Sequence, residues 1–199
     1  MHSALLTATK PELLDKDSDR TLRGLLYDYF AFGRSLDMAR TRFARFIGLS
    51  TTQYLILIAI SHFRSEEPMG VIQLAERLHL TPAFVANEIT KLVADGLIEK
   101  NAHPSDGRRV QLVVTERGIG ELTRLAALQR PVNDALFGML TREEFKLLAH
   151  LLSKLAENGD RAARMAEHIE ATLRFEQDHA ATASSATTRR GSKRAKRQR

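Results

Sequence analysis

This 199-residue chain contains no cysteine and no long apolar run. Without cysteine it can form no disulfide bond, no thiolate metal site and no cysteine redox sensor. The apolar stretch YLILIAI, residues 54–60, is far shorter than the roughly 18 residues that a membrane span needs. The N-terminal residues MHSALLTATKPELL lack the basic and apolar regions of a signal peptide. These absences together predict a cytoplasmic protein.

The motifs of common enzyme classes are also missing. The chain has no P-loop, no G-x-G-x-x-G, no G-x-S-x-G and no H-E-x-x-H. The stretch DKDSDRTLRGLL begins like a calcium loop, but Arg20 at its sixth position and Leu26 at its twelfth break the pattern. His62 and His79 could meet at a metal ion, although lone histidines are more often solvated or packed in a core. We therefore expect no enzymatic activity, no metal and no cofactor.

The formal net charge of +6 is concentrated at one end of the chain. Of the 30 basic residues, seven lie in the last eleven positions, RRGSKRAKRQR, where there is no acid. The rest of the chain has 23 basic and 24 acidic residues and therefore a formal charge of −1. A nucleic-acid-binding surface on the rest of the chain must therefore come from the local placement of charge. The basic tail could improve solubility, tether the protein to DNA or bind another chain.

Most of the chain shows the three-to-four-residue spacing of apolar positions that is typical of amphipathic helices. STTQ (50–53) and TREE (141–144) are capping boxes, and Thr81 with Pro82 is a strong helix start. Gly48 and Gly96 are predicted to end the helices before them. Pro131 is expected to interrupt or kink its helix. The predicted helices cover about residues 21–47, 50–63, 71–78, 81–95, 116–130 and 141–175.

Two stretches, LIEKN (97–101) and RVQLVVT (109–115), have the composition of short strands around a turn. Two short helices joined by a tight turn and followed by a hairpin predict a winged helix-turn-helix lobe. The expected fold class is mainly α with a small β-hairpin wing, the winged lobe being embedded in a helical dimerisation body. We divide the chain into an N-terminal arm (1–19), a helical dimerisation and ligand-binding region (20–64 and 116–175), the winged lobe (65–115) and a disordered basic tail (176–199).

A helical projection of residues 81–95 separates a core face from an exposed face. The predicted core residues are Val85, Ile89, Leu92 and Val93. The predicted exposed residues are Ala83, Asn87, Thr90 and Ala94, with Phe84 and Lys91 beside them. Such a small, nearly neutral face suits the major groove, where asparagine can pair with adenine, but many solvated helices look the same. Packing against the preceding helix or the wing explains Phe84 better than a base contact does.

The stretch HPSDGRR predicts a tight, charged turn. Pro104 and Ser105 begin it, Asp106-Gly107 is a turn dipeptide, and two arginines leave it. An arginine at the tip of such a loop can enter the minor groove, with Asp106 holding the guanidinium of Arg108. The alternative is a surface ion pair of little energetic value. Arg109 either contacts phosphate or faces water. The complete set of predicted DNA-binding residues is Thr81, Pro82, Ala83, Phe84, Asn87, Thr90, Lys91, Asp106, Arg108 and Arg109.

Residues 71–118 resemble the DNA-binding lobe of the MarR family of bacterial transcriptional regulators. The resemblance is carried by LAERL, LVADGLIEK, PSDGRR and LVVTERG, and the helix order extends it over about residues 20–175. It implies a homodimer with interlocked terminal helices, a pseudo-palindromic operator, and a small-molecule pocket between the two halves. Arg108 stands at the family's wing-tip arginine position and Asp106 at that of its partner. Asn87 stands where arginine is common, which leaves the operator sequence open.

The last helix carries a leucine stripe at helical spacing, from Leu147 to Leu155, that needs a partner. Packing within one chain is possible, but a two-fold dimer also involving the first helix and the arm around Leu5 and Leu13 explains the stripe better. An arginine among aromatic side chains could bind an aromatic carboxylate or an acyl thioester, although these aromatics could equally form the core. GLSTTQYLILIAI and LQRPVNDALFGMLTREEF resemble MarR branches that govern aromatic-acid catabolism, including some that sense aromatic acyl-CoA. The ligand candidates are Tyr27, Phe30, Arg34, Asp37, Arg40, Phe43, Phe46, Tyr54 and His62.

The expected function is therefore that of a dimeric repressor that leaves its operator DNA when it binds a small organic effector. It would act in the bacterial cytoplasm, associated with the nucleoid. An activating or ligand-independent DNA-binding regulator is an alternative. A helical protein–protein adaptor, in which the winged lobe binds another protein, is the alternative from a different class.

Overall fold

The computed structural model describes residues 5–62, 69–103 and 106–195, without the side chains of residues 103, 106–109, 160, 178 and 180–195. It divides into one unit that ends at Leu136 and a second that begins at Phe137. The elements confirm the predicted fold class, mainly helical with one antiparallel hairpin. They are α1 (Arg20–Phe46), α2 (Thr51–His62), α3 (Val71–Leu78), α4 (Pro82–Ala94), β1 (Ile98–His103), β2 (Asp106–Val114), α5 (Glu116–Phe137) and α6 (Arg142–Ala195).

Local signals place the helix boundaries as predicted. Both capping boxes form: in the first, the Ser50 N–H donates to Gln53 Oε1 at 2.9 Å and the Gln53 N–H to Ser50 Oγ at 3.1 Å. The second repeats this reciprocal pattern between Thr141 and Glu144. Gly48 and Gly96 end their helices at φ +76° and +67°, a left-handed conformation that glycine adopts without steric strain.

The core of the first unit is built around α2. Five residues of this helix are buried, because it is apolar on almost every side. Helices α1 and α2 meet at 87°, and these two together have the length and composition of a bent membrane span, whereas no described helix has them alone. The core is completed by α1, α3, α4, α5 and the hairpin, and its most deeply buried side chains include Ile56, Leu57, Leu74, Val85, Ile89, Leu92, Ile98 and Leu125.

The N-terminal arm is attached to the start of α1 by one buried carboxylate. Asp19 precedes α1 and is completely buried. Its Oδ2 accepts hydrogen bonds from the Thr7 N–H at 2.8 Å and the Thr7 hydroxyl at 2.6 Å, and its Oδ1 lies 2.7 Å from Arg23 Nη2. These hydrogen bonds, with the charge of Arg23, hold the pKa of Asp19 below its ordinary value. These contacts between Thr7 and Asp19 hold the N-terminal arm against the start of α1.

Two helices differ from their predictions. Pro131 lies inside α5 without interrupting it, so the predicted interruption of this helix was wrong. Proline removes one N–H from a helix, and here its exposed position leaves the carbonyl that lost its partner open to water. The backbone of α6 continues as a helix to Ala195, across residues predicted to be disordered. Alanine and arginine, both good helix formers, are frequent in this segment.

Candidate nucleic-acid interface

The helix pair α3–α4 is joined by a tight turn. His79 ends α3 in the left-handed conformation at φ 52°, and the next residue, Leu80, donates its N–H to the Ala75 carbonyl at 2.9 Å. Thr81 then caps α4, its Oγ1 accepting from the Phe84 N–H at 3.4 Å. Only three residues therefore separate the two helices, as expected of a helix-turn-helix.

The predicted core face of α4 is confirmed with one exception. Val85, Ile89 and Leu92 are completely buried, whereas Val93 is 36% exposed, so its assignment to the core was wrong. A residue directly after Leu92 is turned by about 100° around the helix axis, which takes Val93 to the edge of the buried face. The face opposite the core is exposed at all four predicted positions: Ala83, Asn87, Thr90 and Ala94.

The polar groups on this exposed face are differently engaged. The Thr90 hydroxyl donates to the Ala86 carbonyl at 2.9 Å, which leaves its oxygen as an acceptor. The Asn87 side chain is exposed. An amide carries both donor and acceptor groups, so Asn87 has the chemistry for a bidentate contact with adenine.

Glu88 is a charged group that the helical projection missed. It is only 6% exposed, and its Oε1 accepts from Lys91 Nζ at 2.6 Å. The lysine that was predicted to face DNA is thus paired with a buried carboxylate one turn before it. The three-residue spacing of glutamate and lysine in ANEITK is a sequence signal for this pair.

The first turn of α4 contributes the remaining predicted helix contacts. Thr81, Pro82 and Ala83 are exposed, and Pro82 at the first position leaves no unsatisfied N–H there. Phe84 is 44% exposed, so this residue is neither buried in the core nor fully exposed to solvent. The N-terminal end of the helix is therefore accessible in the single chain.

The hairpin contains an irregularity at the predicted arginines. Its regular antiparallel ladder runs from Ile98↔Val114 to Ala102↔Val110, and the next pair is His103↔Asp106. Between these last two pairs, β1 advances by one residue and β2 by four, which places residues 107–109 in a bulge. Asp106 and Gly107 belong to β2 and not to a turn before it, which corrects the predicted strand start. Pro104 and Ser105 lie outside the described residues, as do the side chains of Asp106, Arg108 and Arg109.

The end of α4, the base of the wing and the start of α5 meet at one closely packed point. The Thr115 hydroxyl donates to the Gly96 carbonyl at 2.7 Å, and its oxygen accepts from the Gly118 N–H at 3.1 Å. The Thr115 N–H donates to the Leu97 carbonyl at 3.1 Å. A Cβ on Gly118 would lie 2.3 Å from that same carbonyl oxygen. The wing therefore has a defined position relative to α4.

The predicted ligand residues do not form one cluster. Phe43 and Tyr54 are buried with ring centroids 6.2 Å apart, and the Tyr54 hydroxyl accepts from Gln129 Nε2 at 2.8 Å. Burial raises the pKa of Tyr54, against the lowering effects of the Gln129 hydrogen bond and the Arg40 charge. Arg40 pairs with Asp37, and its Nε is buried without a hydrogen-bond partner among the described residues.

The other ligand candidates lie on the surface. Tyr27 is 74% exposed and Phe30 65% exposed, and Phe46 lies under the guanidinium of Arg124 at 4.7 Å. Arg34, Asp37 and His62 are also exposed. Among the residues described, no group of three or more His, Asp or Glu side chains could hold a metal ion. Sequence reasoning missed both Gln129 and Arg124, since neither stands near its partner in the chain.

Comparisons with known proteins agree on one family. The MarR family model matches residues 49–110. An uncharacterized HTH-type transcriptional regulator of Bacillus cereus is 24% identical over 145 residues, which cover 72% of this chain and 95% of that protein. The HTH-type transcriptional repressor MdtR of Bacillus subtilis is 26% identical over 57% of this chain and 71% of its own length. The crystal structure of MarR matches with a TM-score of 0.50 and 26% identity, covering 74% of this chain and 95% of that one.

Proposed function

Because this chain belongs to the MarR family of winged-helix regulators, we propose that it is a dimeric repressor released from a pseudo-palindromic operator by a small organic ligand. It is a DNA-binding transcriptional regulator and not an enzyme. The repressor assignment has support from MdtR, whose name describes a repressor. The place of action we propose is the cytoplasm, at the nucleoid.

One observation carries the DNA-binding mode: α4 presents an exposed face of small and amide side chains while its other face is anchored in the core. In our proposal this face enters the major groove, where Asn87 and Thr90 contact base edges. For Lys91 we propose a phosphate contact, which its ion pair with Glu88 weakens. Thr81, Pro82, Ala83 and Phe84 would lie closest to the DNA backbone.

The wing supplies the second contact. Arg108 stands in the bulge of β2, and bulges commonly redirect side chains at functional sites. We propose that Arg108 enters the minor groove, that Asp106 orients it, and that Arg109 contacts phosphate. The tight junction at Thr115 supports this arrangement, since it holds the wing beside α4.

Binding to native upstream DNA tests the proposal. We expect Arg108→Glu to weaken operator binding about tenfold or more in an electrophoretic mobility shift titration. Arg164→Glu, with the same change in net charge on an exposed position of α6, is the matched control and should bind nearly as the parent does. Equal affinity for parent and Arg108→Glu would leave the wing a structural role only. If no discrete complex forms with any upstream sequence, the repressor proposal fails and the adaptor alternative is favoured.

Dimerisation is supported by apolar faces that the single chain leaves exposed. Where its side chains are described, α6 has no buried residue, and Leu147, Leu151, Leu152 and Leu155 are between 42% and 63% exposed. Helix α1 likewise exposes Leu25, Tyr29 and Phe30. Apolar patches of this kind on a protein surface are typical of protein interfaces.

A matched pair of substitutions tests the dimer. Leu151→Asp places a carboxylate within the leucine stripe, whereas Ser153→Asp places the same charge about 160° away on the helical wheel. We expect the first to shift the protein to monomer in sedimentation or light-scattering measurements and the second to leave the dimer intact. A dimer of unchanged stability in Leu151→Asp would contradict the use of this face.

The ligand site that the structure supports best lies around Arg40. Its Nε is a buried donor without a partner among the described residues, and its charge acts on Tyr54, whose ring centroid lies 6.2 Å from that of Phe43. An aromatic carboxylate or acyl thioester would supply both an acceptor for this donor and an apolar body for the rings. We expect one of these compounds to raise the melting temperature and to release the operator.

Removing the candidate donor tests this site. Arg40→Ala should abolish the thermal shift, whereas Arg45→Ala, also on α1, should keep it. An identical shift in both variants would place the ligand elsewhere. If no compound in the aromatic-acid and CoA-thioester series releases the DNA, the ligand-independent alternative is favoured. If transcription from the bound promoter increases, an activator is favoured.

A further inference from the structure

The segment 189–199 holds seven of the chain's 30 basic residues, and the contacts proposed above do not involve it. We propose that it is a second DNA contact, one that binds phosphates without regard to sequence and adds to the contact made by the winged lobe. This inference rests on the DNA-binding function alone, and not on a particular operator or effector.

The basic residues of this segment have no acidic neighbours. The nearest preceding acid is Asp178, and residues 180–188 carry no charge. Since α6 continues as a helix to Ala195, the eleven positions from Asp178 to Arg189 correspond to on the order of 16 Å along the axis. This is about twice the Debye length at physiological ionic strength, so acids earlier on α6 interact only weakly with the basic cluster.

One earlier basic residue of α6 has an acidic partner on the same helix. Arg174 pairs with Glu170 one turn away, Nη2 to Oε1, at 2.5 Å. Within the segment 189–199, by contrast, no position three or four residues away in the chain holds an acid. The sequence therefore places no acid at the helical pairing distance from these seven charges.

The composition of the segment also indicates the kind of polyanion. A helix that lies on a membrane needs large apolar side chains on one face in addition to its basic residues. Residues 180–199 contain no Leu, Ile, Val, Met, Phe, Trp or Tyr. A basic segment without apolar anchors, in a protein that already binds DNA, favours the DNA phosphate backbone over a lipid surface.

Salt dependence gives the measurement. We expect replacement of all seven basic residues by Gln to weaken binding to a random-sequence duplex about tenfold or more at low salt. The slope of log K against log salt concentration should become shallower by up to about 6, because each phosphate contact contributes about 0.9. A control that keeps the seven charges in scrambled order should behave as the parent does.

The result can be separated from the operator proposal. The neutralised variant should keep its preference for operator over random duplex. Arg108→Glu should reduce that preference about tenfold or more, and should keep the parent's salt slope on random DNA within about one unit. An unchanged slope and affinity in the neutralised variant would overturn the inference. Binding of the parent, through these residues, to phosphatidylcholine–phosphatidylglycerol vesicles but not to the duplex would also overturn it.

Discussion

Gly118 allows a sharp test of how the wing is held. It lies in the first turn of α5, where an added Cβ would be 2.3 Å from the Leu97 carbonyl oxygen and 2.6 Å from Val114 Cγ1. Contacts this short require movement, and the Leu97 carbonyl resists it because it accepts the Thr115 N–H. Gly118→Ala should therefore shift the junction between α4, the wing and α5.

The size of the effect follows from this geometry. Forcing a methyl group into a packed site typically destabilises a protein by about 1–3 kcal/mol. For a chain of this length, that corresponds to a fall in melting temperature of about 2–12 °C. A Cβ added at Gly120, two residues later in the same helix, would meet no neighbouring atom within 4 Å. Gly120→Ala should therefore gain up to about 1 kcal/mol of helix propensity.

Thermal unfolding of the two alanine variants, followed by operator titration, checks this expectation. We expect opposite signs in the melting-temperature shift, and weaker operator binding for Gly118→Ala only. If the Gly118→Ala protein melts at the same temperature as the Gly120→Ala protein or at a higher one, the claim that this junction is closely packed is refuted.

Two further predictions concern buried carboxylates. Glu88→Gln should remove the partner that weakens the phosphate contact of Lys91, so the salt slope of DNA binding should steepen by up to about one. Glu76→Gln, on the exposed surface of α3, should leave the slope unchanged. Equal slopes in the two variants would contradict the pairing. Asp19 has a folded-state pKa below its ordinary value of 3.8, so its stabilising effect is present above that pH and is lost as the pH falls through the folded-state pKa. The melting temperatures of the parent and Asp19→Asn should therefore differ at pH 7 and converge in acid, and a constant difference would contradict the linkage.

The boundaries of the helices were predictable because their signals are local. A capping box acts over four residues, and glycine ends a helix through its own backbone conformation, as at Gly48 and Gly96. The buried face of α4 followed from helical periodicity for the same reason. Two boundaries differ from the prediction: an exposed position in α5 tolerates Pro131, and α6 continues as a helix past residue 175 to Ala195.

The polar environment of the interface was less predictable. Whether Glu88 faces water or the protein depends on what α4 packs against, and periodicity of apolar residues says nothing about a charged residue at the edge of the buried face. The ligand candidates show the same limit. Composition selected nine residues, yet only the fold brings the charge of Arg40 close to Tyr54 and leaves Tyr27 on the surface.

The amino-acid sequence by itself determined the order of elements, the capped starts of α2, α4 and α6, and the separation of basic charge into one terminal segment, because each depends on residues within a few positions of one another. Only the tertiary structure decided that Asp19 holds the arm, that Glu88 pairs with Lys91 from a buried position, and that Gly118 packs against the Leu97 carbonyl. These contacts join residues through burial and through distances of a few ångströms in space, which the spacing of residues along a chain does not specify.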